Sequence, residues 1–204
     1  MPENVIIFIG GVPCVGKTSI AGFIARELDI DMVISGDYLR EFIRPIITAE
    51  KKYDVLFTSV YDAWKHFGKM TDENIIKGYR AQSQFMSKGI NSLIERANKN
   101  GENLILESLY FCPDEIDALK HRNVIQFYIY NSDNESYRKM IMERTQYTHL
   151  KSDGNRLAEN IYQYTKIMEY TLKLCAQYDI KTFDSLDYMK VRNDILKYVK
   201  ASIG

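Results

Sequence analysis

Cysteine and histidine are scarce in this chain, three of each among 204 residues, and neither is clustered. Cys14, Cys112 and Cys175 lie far apart, are odd in number and lack C-x-x-C spacing. That excludes a disulfide framework or a zinc site as the organising device and fits a reducing, cytoplasmic setting. The isolated histidines argue against a histidine-held metal cluster. An excess of one charge is missing too: 27 Lys and Arg balance 27 Asp and Glu, with no basic tail or Lys/Arg block. Nucleic acid is therefore not an expected partner, although local clusters could still bind small anions. No apolar run is long enough to span a membrane. The N-terminal apolar run begins at once and is too short for a secretory signal. Internal repeats, low-complexity segments and linkers are also lacking. With 46% hydrophobic residues, one domain over 1–204 with one sizeable core is expected.

What is present is concentrated near the start. Val5 to Ile9 is an apolar run that leads into Gly11-Val-Pro-Cys-Val-Gly16-Lys17-Thr18, the G-x-x-x-x-G-K-[ST] pattern of a phosphate-binding P-loop. Glycines allow the tight turn and the close approach of backbone to ligand. The loop's N–H groups form an anion-binding nest, and the following helix aims its positive end at the same place. The residues from Gly11 to Ser19 (Gly11, Val12, Pro13, Cys14, Val15, Gly16, Lys17, Thr18 and Ser19) are thus candidates to cradle ATP phosphates. Lys17 adds a charge for the β- and γ-phosphates, and the Thr18 hydroxyl is a candidate ligand of Mg²⁺. The alternative is a glycine-rich turn that merely joins strand to helix, but such a turn does not require Lys-Thr after Gly16. Cys14 inside the loop is read as a passive residue rather than a reactive thiol.

Apolar runs alternate with helical patterns along the rest of the chain, with strands expected at 31–35, 103–107, 124–130 and 180–183. Helices are expected from Tyr38 to Ile43, over most of 53–67, from Thr71 or Asp72 to about Asn98, from Asp133 to about Arg144, from Leu157 to Tyr178, and from about Asp187 to Val199. Strands separated by helices imply an α/β fold with a parallel sheet covered on both faces. The polar stretch at 145–155 is the candidate for a mobile lid.

In such a sheet, ligands sit at the carboxyl ends of the strands. After the second strand comes Asp37, which either accepts a proton from a substrate hydroxyl or holds a metal-bound water, or else caps the helix starting at Tyr38. Arg40 and Arg44 lie four apart on one helix face and suit a phosphate or carboxylate of an acceptor; the alternative is a solvated face near Glu41. Glu107 ends the third strand, where P-loop enzymes place a second Mg²⁺-organising group, unless it simply faces water. Tyr110 follows at the same edge. Among Arg138, Arg144 and Arg156, Arg144 borders the polar stretch and is the candidate arginine finger. Tyr61 and Trp64 are read as packing residues.

Taken in order, Gly11-Val-Pro-x-Val-Gly-Lys-Thr, Ser-Gly-Asp37-x-Leu-Arg40-Glu, Arg44-Pro45, Ser59-x-Tyr61-x-Ala63-Trp64, Gly78-Tyr79, Lys88-Gly-Ile90 and Glu107-Ser-x-x-x-x-Pro113 resemble the archaeal 2-phosphoglycerate kinase family over nearly the whole chain. Two departures stand out. The family carries an extra N-terminal regulatory nucleotide-binding domain, whereas this chain starts at its first strand. Where the family pattern resembles Glu-Gly-x-His, this chain has Glu107-Ser108-Leu109-Tyr110. Both departures point to the family's short single-domain branch, the mevalonate 3-phosphate 5-kinases.

The resemblance implies a P-loop kinase fold with five parallel strands in the order 2-3-1-4-5 and a small helical lid. It also implies ATP and Mg²⁺, with transfer of a phosphoryl group to a hydroxyl of a small phosphorylated carboxylic acid. Lys17, Asp37 and Arg144 would act on the reacting groups, and Asp37, Arg40, Arg44 and Tyr110 would bind the acceptor. Thr18 and Glu107 would organise the metal. The rival acceptor is 2-phosphoglycerate. A nucleotide-dependent switch is disfavoured by the lack of an Asn-Lys-x-Asp pattern, and a polynucleotide kinase by the lack of a basic strip.

Overall fold

The run Ile6–Gly11 forms strand β1, and every residue of it is buried. A strand apolar on both faces needs cover on both faces, which here comes from helices. In the computed structural model, which describes residues 4–47, 53–117, 121–146, 151 and 154–203, β1 lies at the centre of a five-stranded sheet. The other strands are β2 (Val33–Ser35), β3 (Leu104–Ser108), β4 (Val124–Tyr130) and β5 (Lys181–Asp184). The order is β2-β3-β1-β4-β5 and every pairing is parallel, as the resemblance implied. In this register Glu107 of β3 lies beside both Ile9 of β1 and Ser35 of β2.

The helices are α1 (Lys17–Leu28), α2 (Gly36–Ile43), α3 (Asp54–Phe57), α4 (Asp72–Asn100), α5 (Asn134–Met142), α6 (Asn155–Glu159), α7 (Ile161–Gln177) and α8 (Tyr188–Ile203). Local chemistry sets several of their ends. The Thr71 hydroxyl accepts from the Asn74 N–H at the start of α4, and Gly101, at φ 68°, ends it. Asp133 accepts from the Ser136 N–H at the start of α5. None of the described helices is long and apolar enough to cross a membrane.

Three expectations need correction. First, α2 begins at Gly36, not Tyr38, with Ser35 at the cap position. Asp37 is therefore in the first turn and is not the cap. Second, 53–67 is not one helix: α3 ends at Phe57, Thr58 and Ser59 are extended, and a 3₁₀ segment runs from Val60 to Phe67. The cause is competition for carbonyls. Gln82 takes the Val55 oxygen, Arg40 and Arg44 take that of Leu56, and Arg40 and Gln82 take that of Thr58. Third, the helix expected over 157–178 is two, with a break at Asn160 (φ −109°, ψ 21°), whose side chain bonds back to the Arg156 carbonyl.

The polar stretch read as a lid cannot be placed, because 147–150 and 152–153 lie outside the described residues.

The 3₁₀ segment packs hard on α4 at Gly78. A Cβ there would lie 2.6 Å from the Ala63 carbonyl carbon and 2.7 Å from the Trp64 nitrogen. Both are backbone atoms and cannot swing aside. Two effects oppose each other in Gly78→Ala: helix propensity favours alanine by about 1 kcal/mol, while forced overpacking costs about 1–3 kcal/mol. The contact should win. Chemical unfolding should show a lower midpoint for Gly78→Ala, and a raised midpoint would contradict the close approach.

Candidate active site

The P-loop crosses from β1 to α1 with two residues in the left-handed region, Cys14 (φ 67°) and Gly16 (φ 97°). The first helical residue of α1 is Lys17. No side chain caps α1 and its first turn holds no acidic residue, so the positive end of the helix is left for a ligand. Lys17 is buried, and its ammonium donates to the Val12 carbonyl at 3.0 Å. From α5, the buried Tyr137 donates to the Pro13 carbonyl at 3.0 Å, which pins the loop from the β4 side. The Thr18 hydroxyl donates to Glu107 Oε1 at 3.2 Å. This contact spans 89 residues of sequence and joins the two expected metal-organising groups.

A cavity of about 470 Å³ opens over this loop. Pro13, Cys14 and Gly16 to Ser19 line it, together with Asp37, Glu107 and Arg144. Three residues that sequence reasoning missed also line it: Met140, Glu143 and Tyr188. Met140 lies near the end of α5 and Glu143 just past it, beside Arg144, and Tyr188 follows the end of β5, so the strand-end rule applied there would have found it. A shallower groove continues past Thr18 and Ser19 to Tyr188 and Arg192, where the Arg192 guanidinium stacks on Phe23 at 4.3 Å.

Of the three candidate arginines, only Arg144 lines the cavity, and its Nε is buried without a hydrogen bond. Arg138 reaches the Ala158 carbonyl at 3.4 Å, and Arg156 lies over the Tyr61 ring at 6.0 Å. Tyr61 is buried, as expected of a packing residue, and meets Tyr164 edge-on at 5.9 Å.

Arg40 in α2 and Arg44 just past its end have a task that sequence spacing did not show. Arg40 donates from Nε to the Leu56 carbonyl at 3.1 Å and from Nη2 to that of Thr58 at 2.5 Å. Arg44 donates from Nε to the Leu56 carbonyl at 2.9 Å and pairs with Glu41 at 2.6 Å. Both tie the 54–60 segment to α2. Arg40 also neighbours Tyr110, whose ring is fully buried. Burial pushes the Tyr110 hydroxyl pKa up, Arg40 pulls it down and Asp37 pushes it up, so all three share one neighbourhood. Below them the Tyr79 hydroxyl lies within bonding distance of the Leu109 carbonyl (3.2 Å), the Phe111 carbonyl (2.9 Å) and the Phe111 N–H (3.2 Å). It clamps the turn that carries Tyr110.

The donor set fits a hard divalent cation. Thr18 and Glu107 offer oxygens, and among the described residues no group of three or more His, Cys, Asp or Glu gathers into a cage. Mg²⁺ beside nucleotides is held in this way, by one or two side chains plus phosphate and water.

No protein-family model matches the chain. It is 47% identical to the mevalonate-3-phosphate 5-kinase of Thermoplasma acidophilum over 94% of this chain and 93% of that enzyme. It is 31% identical to the 2-phosphoglycerate kinase of Pyrococcus furiosus over 94% of this chain, but spans only 63% of that enzyme's length. Among solved structures, a shikimate kinase from Bacteroides thetaiotaomicron superposes with a TM-score of 0.52 at 13% identity, over 97% of each chain. That likeness shows the fold.

Cys14 sits at the heart of this site. Burial raises its thiol pKa against the opposing pull of Arg144 and Lys17. A raised pKa keeps the thiol protonated at neutral pH, and only the thiolate reacts. Iodoacetamide should therefore label the Cys14 peptide more slowly than a free cysteine at neutral pH, with a rate that climbs as pH rises. Labelling faster than the free amino acid, followed by mass spectrometry, would contradict this.

Proposed function

The chain belongs to the mevalonate-3-phosphate 5-kinase family of ATP-dependent phosphotransferases, and on that premise we propose that it moves the γ-phosphate of ATP to the 5-hydroxyl of mevalonate 3-phosphate. The observation that carries this is the sharing of one cavity by Lys17, Thr18, Asp37, Glu107 and Arg144. A phosphate nest, a carboxylate at the mouth of the second strand and a guanidinium in the same cavity are what phosphoryl transfer to an alcohol needs.

In this reading the N–H groups of the P-loop and α1 hold the phosphate chain of ATP. The nucleoside lies along the groove towards Tyr188 and Arg192. Lys17 and Arg144 face the transferring group and oppose its growing charge. Asp37, exposed at the cavity wall, orients the acceptor hydroxyl and takes its proton. Arg40 holds an anionic group of the acceptor, with Tyr110 behind it. Arg44 is engaged by Glu41 and Leu56 and contributes mainly by shaping that wall. Thr18 and Glu107 would hold Mg²⁺, which neutralises phosphate charge when bound. Catalysis here is chiefly positioning and charge stabilisation. The protein would work in the cytoplasm as a single kinase domain on a small metabolite, with neither nucleic acid nor membrane as partner.

ADP release measured with mevalonate 3-phosphate, mevalonate and 2-phosphoglycerate side by side tests the acceptor. Turnover should be fastest with mevalonate 3-phosphate; a response to 2-phosphoglycerate alone would make this a short relative of those kinases instead. Lys17→Ala should retain the wild-type melting curve and lose roughly 10³-fold or more in kcat, about 4 kcal/mol of transition-state stabilisation. Undiminished turnover in that variant would remove the P-loop from the mechanism. If ADP appears only alongside free phosphate, with no phosphorylated acceptor, the protein is a nucleotide switch.

A further inference from the structure

Ser108 ends β3 immediately after Glu107 and is buried, yet nothing so far gives its hydroxyl a task. Two close contacts converge on it. Its Oγ accepts from the Tyr110 N–H at 2.9 Å, closing the turn that turns the Tyr110 ring inward. On its other side lies Gly36, the first residue of α2. A Cβ built at Gly36 would sit 2.3 Å from Ser108 Oγ and 2.8 Å from Ser108 Cβ. The β2–β3 register, with Ser35 beside Glu107, causes this approach. One hydroxyl therefore touches two short segments: one leads to Asp37, the other to Tyr110 and, through it, to Arg40.

Tyr110 supplies the independent observation. Its side chain is fully buried, and its hydroxyl makes only a loose contact with the Arg40 guanidinium. A buried hydroxyl needs a polar partner, so this contact ties the phenol to Arg40. The turn that holds it is overdetermined, fixed by Ser108 on one side and by the Tyr79 hydroxyl at residues 109 and 111 on the other. Its neighbours are the charges of Arg40, Asp37 and Arg44. A rigid phenol behind a guanidinium restricts where that guanidinium can point.

We propose that Ser108 is a positioning residue for the acceptor half of the site, setting Asp37 through its contact with Gly36 and Arg40 through the Tyr110 turn. The acceptor is a small hydroxy acid bearing an anionic group. This inference rests on the kinase reading above, but it fails or holds separately: the wild-type acceptor panel decides the reaction, and the variants are compared with wild type on whichever acceptor it turns over fastest.

Steady-state kinetics separate the two arms. Ser108→Gly should raise the acceptor KM by about tenfold, the scale of one well-placed hydrogen bond, and should also lower kcat, with KM for ATP unchanged. Tyr110→Phe should raise the acceptor KM and leave kcat within about twofold, since it touches only the Arg40 arm. The double variant should be no worse in acceptor KM than Ser108→Gly alone, because both remove the same link. Gly36→Ala should cut kcat, and Ser108→Gly placed in the same chain should recover part of it by clearing the two clashing atoms. Should Ser108→Gly not fold, by its melting curve and its KM for ATP, Ser108→Ala removes the same oxygen and keeps the Cβ. Acceptor KM and kcat both within twofold of wild type in a folded Ser108 variant would overturn the proposal. So would effects of Ser108→Gly and Tyr110→Phe that multiply, or a Gly36→Ala defect that the second change leaves untouched.

Discussion

Glu107 sits in parallel register with Ile9 on one side and Ser35 on the other, and the site is built outward from that three-strand alignment. Parallel strands end on the same edge of the sheet, so the P-loop after β1, the Gly36-Asp37 turn after β2 and the turn after β3 are delivered to one place. The Thr18–Glu107 hydrogen bond at 3.2 Å then crosses from α1 to β3 and closes the arrangement. A slip of one residue in β3 would turn Glu107 to the opposite face of the sheet and put Ser108 where the carboxylate now meets Thr18. The fully buried β1 resists such a slip, because a slip would misalign a strand packed on both faces.

Positive charge is concentrated locally although the whole chain is neutral. Lys17, Arg144 and the uncapped start of α1 face the cavity, and Asp37 and Glu107 add two carboxylates to it. Two further arginines, Arg40 and Arg44, serve shape. Arg40 and Arg44 hold the carbonyls of Leu56 and Thr58, so this wall is kept in place by two positive charges. Losing either would alter the wall as well as the charge. Kinetic data on those two positions alone would mix the two effects.

The parts of the fold legible in the sequence were those encoded locally. The P-loop is a run of eight residues whose spacing fixes its backbone, and the caps at Thr71, Asp133 and Gly101 are written within three residues of the helix ends they serve. The strands were found to within two residues at their ends. What misled was long-range competition for carbonyls. Residues 53–67 carry a helical pattern, but Arg40, Arg44 and Gln82, 12 to 27 positions away, take the oxygens that a helix would use. Arg144, singled out from its place beside the polar stretch, does line the cavity, whereas Tyr188 was missed although it follows a strand end. The environment of Tyr110 could not be read at all, because its partners come from α2, α4 and β3 and meet only once the sheet has formed.

A structure of the protein with a non-hydrolysable ATP analogue and mevalonate 3-phosphate bound together tests the meeting of the two halves most directly. The acceptor's 5-hydroxyl should lie between Asp37 and the terminal phosphate, about 3–3.5 Å from its phosphorus, with an anionic group of the acceptor against Arg40. An acceptor seated away from Asp37, with the terminal phosphate open to water, would contradict it.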